Sequence, residues 1–174
     1  MITRNRLPLP NCTIIQMKEK HTADYGQLLQ KAAAYCSLAE HCITEVQEKL
    51  AVWGATSPQS EDIIAYLQEN GFIDEARYCR AFVSDKFRYN KWGKYKIKYQ
   101  LRMKGLSDSS IQQGMEMIEE EDYEKALVHL LSGKLKGLKY NDEYDKQGKL
   151  YRFAQGRGFE RDVFERAYQH LHKN

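Results

Sequence analysis

The chain has 174 residues, 42% of them hydrophobic and 29% charged, and a mean hydropathy of −0.71, a balance that permits a core beneath a large polar surface. No apolar run approaches the ~20 residues of a membrane span. Three prolines, two of them at Pro8 and Pro10, leave helix breakers almost absent from the rest of the chain, against a loop-rich all-β fold.

Residues 1–23 read as an N-terminal extension, expected to be a flexible arm. Their apolar patch Thr13–Ile15 is too short for a secretory signal. The four cysteines, Cys12, Cys36, Cys42 and Cys79, form no CxxC pair and read as the reduced thiols of a soluble, cytoplasmic protein.

From residue 24 onward one pattern occurs three times. The segments "KLAVWGATSPQSEDIIAYLQ", "QLRMKGLSDSSIQQGMEMI" and "RFAQGRGFERDVFERAYQHL" each place a glycine after one helix and polar caps before the next. Gly54, Gly105 and Gly158 lie 51 and 53 residues apart and suit the left-handed position just past a helix end. Ser60 and Ser107 read as N-caps, and Glu160 and Asp162 supply acids to a third first turn. Apolar stripes follow at Ile63, Ile64 and Leu67, at Ile111, Met115 and Ile118, and at Val163, Phe164, Ala167, Tyr168 and Leu171.

A further amphipathic stretch precedes each of these helix pairs. Leu28, Ala32, Tyr35 and Ala39 form the first, Ala76, Cys79, Val83 and Phe87 the second, and Ala126, Leu127, Leu130 and Leu131 the third. The reading is an all-α fold of three tandem three-helix repeats, at 24–70, 71–119 and 120–174, in an elongated, curved, solenoid-like body. In the second repeat Asp74 is the expected N-cap after the turn Gly71-Phe72-Ile73, with Phe72 and Ile73 as core. Ile97 and Leu101 share the core face of a helix over Lys94–Lys104, and Gly93 and Gly105 bound that helix.

The second repeat also concentrates charge. Arg77 to Lys104 holds ten basic residues and one acid, Asp85, a local +9 that leaves −6 on the other 146 residues of a chain whose net charge is +3. Such a run is usually a solvated helix face, but one sign gathered in a folded segment also suits an anionic partner. The candidate binding residues are Arg77, Arg80, Lys86, Arg88, Lys91, Trp92, Lys94, Lys98 and Arg102. Arg77 has an alternative role pairing with a carboxylate at a helix junction. Trp92 either anchors the turn before Gly93 from the core or stacks on a base from the surface. Lys91, Lys94, Lys98 and Arg102 are expected to face outward.

Enzyme readings fail. "SGKLKG" at 132–137 lacks the hydroxyl residue and first glycine of a phosphate loop, and "GRGFE" at 156–160 lacks the third glycine of a dinucleotide loop. His21, Cys36, His41 and Cys42 have no standard zinc spacing. No catalytic residue, metal or cofactor is expected.

Residues 71–111 carry a resemblance. "GFIDEARYCRAFVSDKF" and then "NKWGKYKIKYQLRMKGLSDSSI" resemble the RecX family of bacterial recombination regulators. The matches are Gly71 to Glu75, Arg77-Tyr78, Ala81-Phe82-Val83, Gly93, Lys96-Ile97, Leu101 and Lys104-Gly105-Leu106. Two departures are Glu75, where the family often has Asp, and "FAQGRGF", where Leu-x-x-Arg-Gly-Phe is more typical. The resemblance implies a non-enzymatic, monomeric regulator that lies in the groove of the RecA filament on single-stranded DNA. There it would modulate ATP turnover, strand exchange and coprotease activity in recombination, DNA repair and the SOS response. The alternative is a stand-alone DNA-binding helical protein acting through its basic middle repeat.

Overall fold

The computed structural model describes residues 24–173, with side chains through Leu171; the extension at 1–23 lies outside the described residues. Among these there are nine α-helices and no strand: α1 (Tyr25–Leu38), α2 (Ile43–Val52), α3 (Ser57–Glu69), α4 (Glu75–Arg88), α5 (Lys94–Met103), α6 (Asp108–Met115), α7 (Glu120–Leu135), α8 (Glu143–Arg157) and α9 (Arg161–Lys173). Every extensive helix–helix contact falls within α1–α3, α4–α6 or α7–α9. The chain therefore forms three successive three-helix units, the tandem all-α arrangement the sequence predicts.

The repeat is visible at atomic level where α2, α5 and α8 end. Gly54, Gly105 and Gly158 take φ of +86°, +80° and +88°. Each glycine N–H donates to the carbonyl three residues back, at Ala51, Arg102 and Gln155. The following N–H donates to the carbonyl of Leu50, Leu101 or Ala154. This pair of bonds closes the last turn and satisfies carbonyls that a helix end leaves open. The three residues receiving the second bond are fully buried, so Ala154 fills the leucine's place in the third unit and the turn survives the "FAQGRGF" variation.

Helix starts follow local chemistry. Asp24, Asp74, Ser107 and Asp142 each accept from the backbone N–H three residues on. Ser60 is not an N-cap as expected. Thr56 and Gln59 form a reciprocal capping box and Pro58 sits in the first turn, so α3 begins a turn earlier. Ala39 also leaves the predicted stripe. Its backbone is extended at the end of α1, and the buried face is Leu28, Ala32 and Cys36.

The core divides unevenly. Leu28, Val46, Leu50, Ile63, Leu67 and Ile73 form one cluster, with Phe72 packed on it. A second, continuous cluster runs through α4–α9, from Cys79, Val83, Ile97 and Leu101 to Tyr123, Leu150 and Phe164. Inside it Gly114 lets α6 lie directly on α4, since a Cβ there would sit 2.9 Å from that of Cys79.

The two junctions use different chemistry. Between the first and second units, Glu45 on α2 gathers the Lys104 ammonium (2.6 Å), the Tyr78 hydroxyl (2.8 Å) and His41 Nδ1 (3.0 Å). Thr44 donates its hydroxyl to the Lys104 carbonyl at 2.8 Å. Between the second and third units, the Gly93 N–H donates to the Arg157 carbonyl (2.8 Å) and the Tyr95 N–H to the Gly158 carbonyl (3.0 Å). The Tyr123 hydroxyl accepts from the Lys94 N–H at 2.7 Å and donates to Glu160 at 2.6 Å. Tyr78 and Tyr123 hold the same place, four residues past the N-caps Asp74 and Glu119.

A Cβ on Gly93 would lie 2.2 Å from the Gly158 backbone. Gly93→Ala should therefore destabilise by about 1–3 kcal/mol, read as a lower urea midpoint. Gly133→Ala, in α7 with nothing near its Cβ position, should instead stabilise by up to about 1 kcal/mol. The Glu45 junction predicts a pH signature. Burial by itself raises the carboxyl pKa, but the bonds from Lys104, His41 and Tyr78 outweigh it and hold the group below the ordinary carboxylate value. A depressed folded-state pKa contributes stability above the unfolded value, and that stability is lost as pH falls through the folded value. Glu45→Gln should thus cost about 1–3 kcal/mol at pH 7 and progressively less in urea titrations below about pH 4.

Candidate functional site

The basic segment occupies α4, the turn after it and α5. That turn is built by one local and one long-range bond. The Trp92 N–H donates to the Lys86 carbonyl at 3.0 Å, and Arg157 donates to the Asn90 carbonyl at 3.1 Å. Lys91 takes a φ of +55°, a left-handed conformation uncommon for a non-glycine residue. Gly93 then serves as an N-cap without a side chain, leaving the first N–H groups of α5 to the third unit.

Trp92 is half-buried against the shared core. The ammonium groups of Lys96 and Lys86 lie 4.6 Å and 5.8 Å from its ring centroid, placing two cations over its π-system. It anchors the turn in the way the core reading describes.

The charges fall into two sets. In the first, each cation is held by an acid. Arg77 pairs with Glu40 at 2.6 Å and donates to the Gly71 carbonyl at 3.0 Å, tying α4 to the loop before α2 as its alternative role required. Lys86 pairs with Asp85 at 2.6 Å and Arg102 with Asp108 at 2.9 Å. Lys94, expected to face outward, instead pairs with Glu120, with its ammonium 4.6 Å from the Tyr123 ring centroid and its side chain 17% exposed. An acid 26 residues downstream draws it into the junction. In the second set, Arg80 and Arg88 are exposed and Lys91 and Lys98 half-buried; among the described residues none of the four pairs with a carboxylate.

The motif residues build the frame beneath these charges. Asp74 caps α4 through the Arg77 N–H at 2.8 Å, and Gly71 closes α3 with a φ of +73°. Ile97 and Leu101 are fully buried. Glu75 accepts from the hydroxyls of Ser107 (3.1 Å) and Ser110 (3.3 Å), so the longer carboxylate bridges the starts of α4 and α6.

Sequence reasoning gave no role to two features, although Tyr95 and Tyr99 fall beside Lys98 and Arg102 on the helical wheel. Tyr95, Tyr99 and Met103 are exposed along one edge of α5, as is Tyr89 at the end of α4; their i, i+4, i+8 spacing was the available signal. Glu45 is the other, and its partners Tyr78 and Lys104 lie 33 and 59 residues away, beyond any local pattern. The buried thiol of Cys79 is pushed up to about 11 by burial, then by Glu75 and Cys42, which keeps it protonated and a poor nucleophile at neutral pH. Among the described residues no His, Cys, Asp or Glu group converges as a metal site, and no helix is long and apolar enough to cross a membrane.

Comparison with known proteins addresses the same helices. Residues 74–115 match the family model described as RecX, second three-helix domain. The regulatory protein RecX of Clostridium botulinum (strain Eklund 17B / Type B) is 31% identical over 123 residues, which cover 70% of this chain and 57% of that protein. The chain thus spans under three fifths of that relative's length. The RecX of Prosthecochloris aestuarii is 25% identical over 154 residues, covering 87% of this chain and 98% of its own. The crystal structure of RecX from Lactobacillus salivarius superposes with a TM-score of 0.75 at 20% identity, over 86% of this chain and 97% of that one. A second RecX crystal structure gives 0.77 at 19% identity, over 83% and 73%. The family model covers the capped, glycine-bounded helices α4 to α6, the relatives extend across the flanking units, and the solved structures share the fold: the chain belongs to the RecX family.

Proposed function

We propose that this protein binds the filament that RecA forms on single-stranded DNA and restrains its ATP turnover, strand exchange and coprotease activity. It acts by occupancy, as a cofactor-free, non-catalytic cytoplasmic monomer. Its three repeats, 24–70, 71–119 and 120–174, lie along the filament groove. The observation that carries this reading is the match of α4–α6 to the second three-helix domain of RecX. The physical support is a cationic middle unit whose central helix is held at both ends by its neighbours, so its outward charges meet a polyanion at little further cost in ordering.

The second reading, direct binding of DNA by the middle repeat, is favoured by one observation: Arg80, Arg88, Lys91 and Lys98 carry no internal counter-charge among the described residues. Open cations of this kind bind phosphates through counterion release. The two readings are compatible, because a nucleoprotein filament presents phosphates as well as protein surface.

Titrating the purified protein into RecA on single-stranded DNA should suppress ATP hydrolysis and strand exchange at near-stoichiometric amounts. Unchanged rates in both assays would reject the first reading. For the second, the triple variant Arg80→Ala, Arg88→Ala, Lys98→Ala should flatten the slope of log K against log salt on bare single strands, by about 0.7 for each phosphate no longer neutralised. Arg102→Ala, which removes a cation already paired with Asp108, should change the slope less.

A further inference from the structure

Helix α5 exposes an edge that the fold does not use. Tyr95, Tyr99 and Met103 are 72%, 55% and 68% exposed, while Ile97 and Leu101 on the opposite side are fully buried. At 3.6 residues per turn the three exposed side chains occupy an arc of about 80°. Lys98 and Arg102 lie on one side of this arc and Lys96 on the other, and the helix sequence KYKIKYQLRM contains no acid. A single exposed ring needs no explanation, whereas several apolar side chains gathered on one arc suit an interaction site. Here the covering partner must tolerate cations on both flanks.

We infer that Tyr95 and Tyr99 form a stacking platform for the bases of single-stranded nucleic acid, with Lys98 and its neighbours holding the flanking phosphates. Protein interfaces are also rich in Tyr, Met and Arg, but they surround them with a mixed polar rim. This edge instead sets π-faces between Lys96 and Lys98, neither paired with a carboxylate among the described residues, while Arg102 is held by Asp108. Aromatic faces beside open cations are the combination by which single strands are bound with little sequence preference. Duplex DNA keeps its bases stacked and paired, so the platform selects unpaired strands. The spacing also fits. Tyr95 and Tyr99 are separated by about 6 Å along the helix axis, close to two base steps of roughly 3.4 Å, so the rings meet alternate bases. Trp92 does not share this role, since it packs against the core with two ammonium groups over its ring.

This proposal deepens the DNA-binding part of the function above, and its test uses no RecA, so it fails or succeeds independently of the filament assay. The full chain is titrated against fluorescently labelled oligothymidylate and against an abasic strand with the same number of phosphates, at matched salt. The expected result is at least tenfold tighter binding to oligothymidylate. The double variant Tyr95→Ala, Tyr99→Ala should erase that ratio while leaving abasic binding and its salt slope unchanged, and Tyr95→Phe, Tyr99→Phe should retain it. Both rings are exposed, so an unchanged melting curve accompanies each variant. Equal affinity for the two strands, absence of binding at low salt, or a ratio that survives the double alanine variant would each overturn the inference. The last outcome would leave the edge to a protein partner.

Discussion

The middle helix α5 cannot cap itself, and much of the structure answers that constraint. Its N-cap residue, Gly93, has no side chain to accept from the first turn. A helix start leaves several N–H groups open, and burying them unpaired is expensive. The third unit supplies the acceptors, the Tyr123 hydroxyl for Lys94 and the Gly158 carbonyl for Tyr95. At the other end, Thr44 of the first unit donates to the Lys104 carbonyl. Any side chain at Gly93 or Gly158 would separate these partners. Both glycines therefore serve contact between units as well as the turns in which they sit.

The charge reading changes once these contacts are included. A window of sequence holding ten basic residues and one acid suggests a strong local field. In space, Glu40, Glu45, Glu120 and Asp108 come from outside that window, on either side of it in the chain, to sit on Arg77, Lys104, Lys94 and Arg102. Much of the excess acid elsewhere in the chain thus positions the basic segment. What remains directed outward is a smaller group, interleaved with tyrosines, and it marks the face of the middle unit available to an anion.

Whatever depends on neighbours within one or two helical turns was legible in the sequence. The three glycine turns, the Asp74 and Ser107 caps and the burial of Ile97 and Leu101 are local consequences of periodicity and backbone preference, and they appear as read. The exceptions are also local: Ser60 yielded to the Thr56–Gln59 capping box and Pro58, a signal present in "ATSPQS" and passed over. The candidate site was legible only in outline, because a lysine's partner is set by tertiary contact. Nothing near Lys94 in sequence announces Glu120, and nothing near Lys104 announces Glu45. The continuity of the core from α4 to α9 was hidden for the same reason, since Tyr123 and Phe159, stacked with centroids 4.9 Å apart, lie 36 positions apart in the chain.

The unequal junctions give the body a grain. The second and third units share one apolar interior and are joined by backbone bonds with no room for a side chain, so they behave as a single cooperative block. The first unit keeps its own interior except for Cys42, which is buried in the core of that block. The unit's polar contacts with the block run through a carboxylate, an ammonium and hydroxyls. Apolar and backbone contacts are nearly indifferent to ionic strength, whereas exchanges among charged groups at a partly wet seam are not. Sub-global opening follows such seams: the seam at Glu45 is where amide protons of the first unit would exchange without waiting for the rest of the chain.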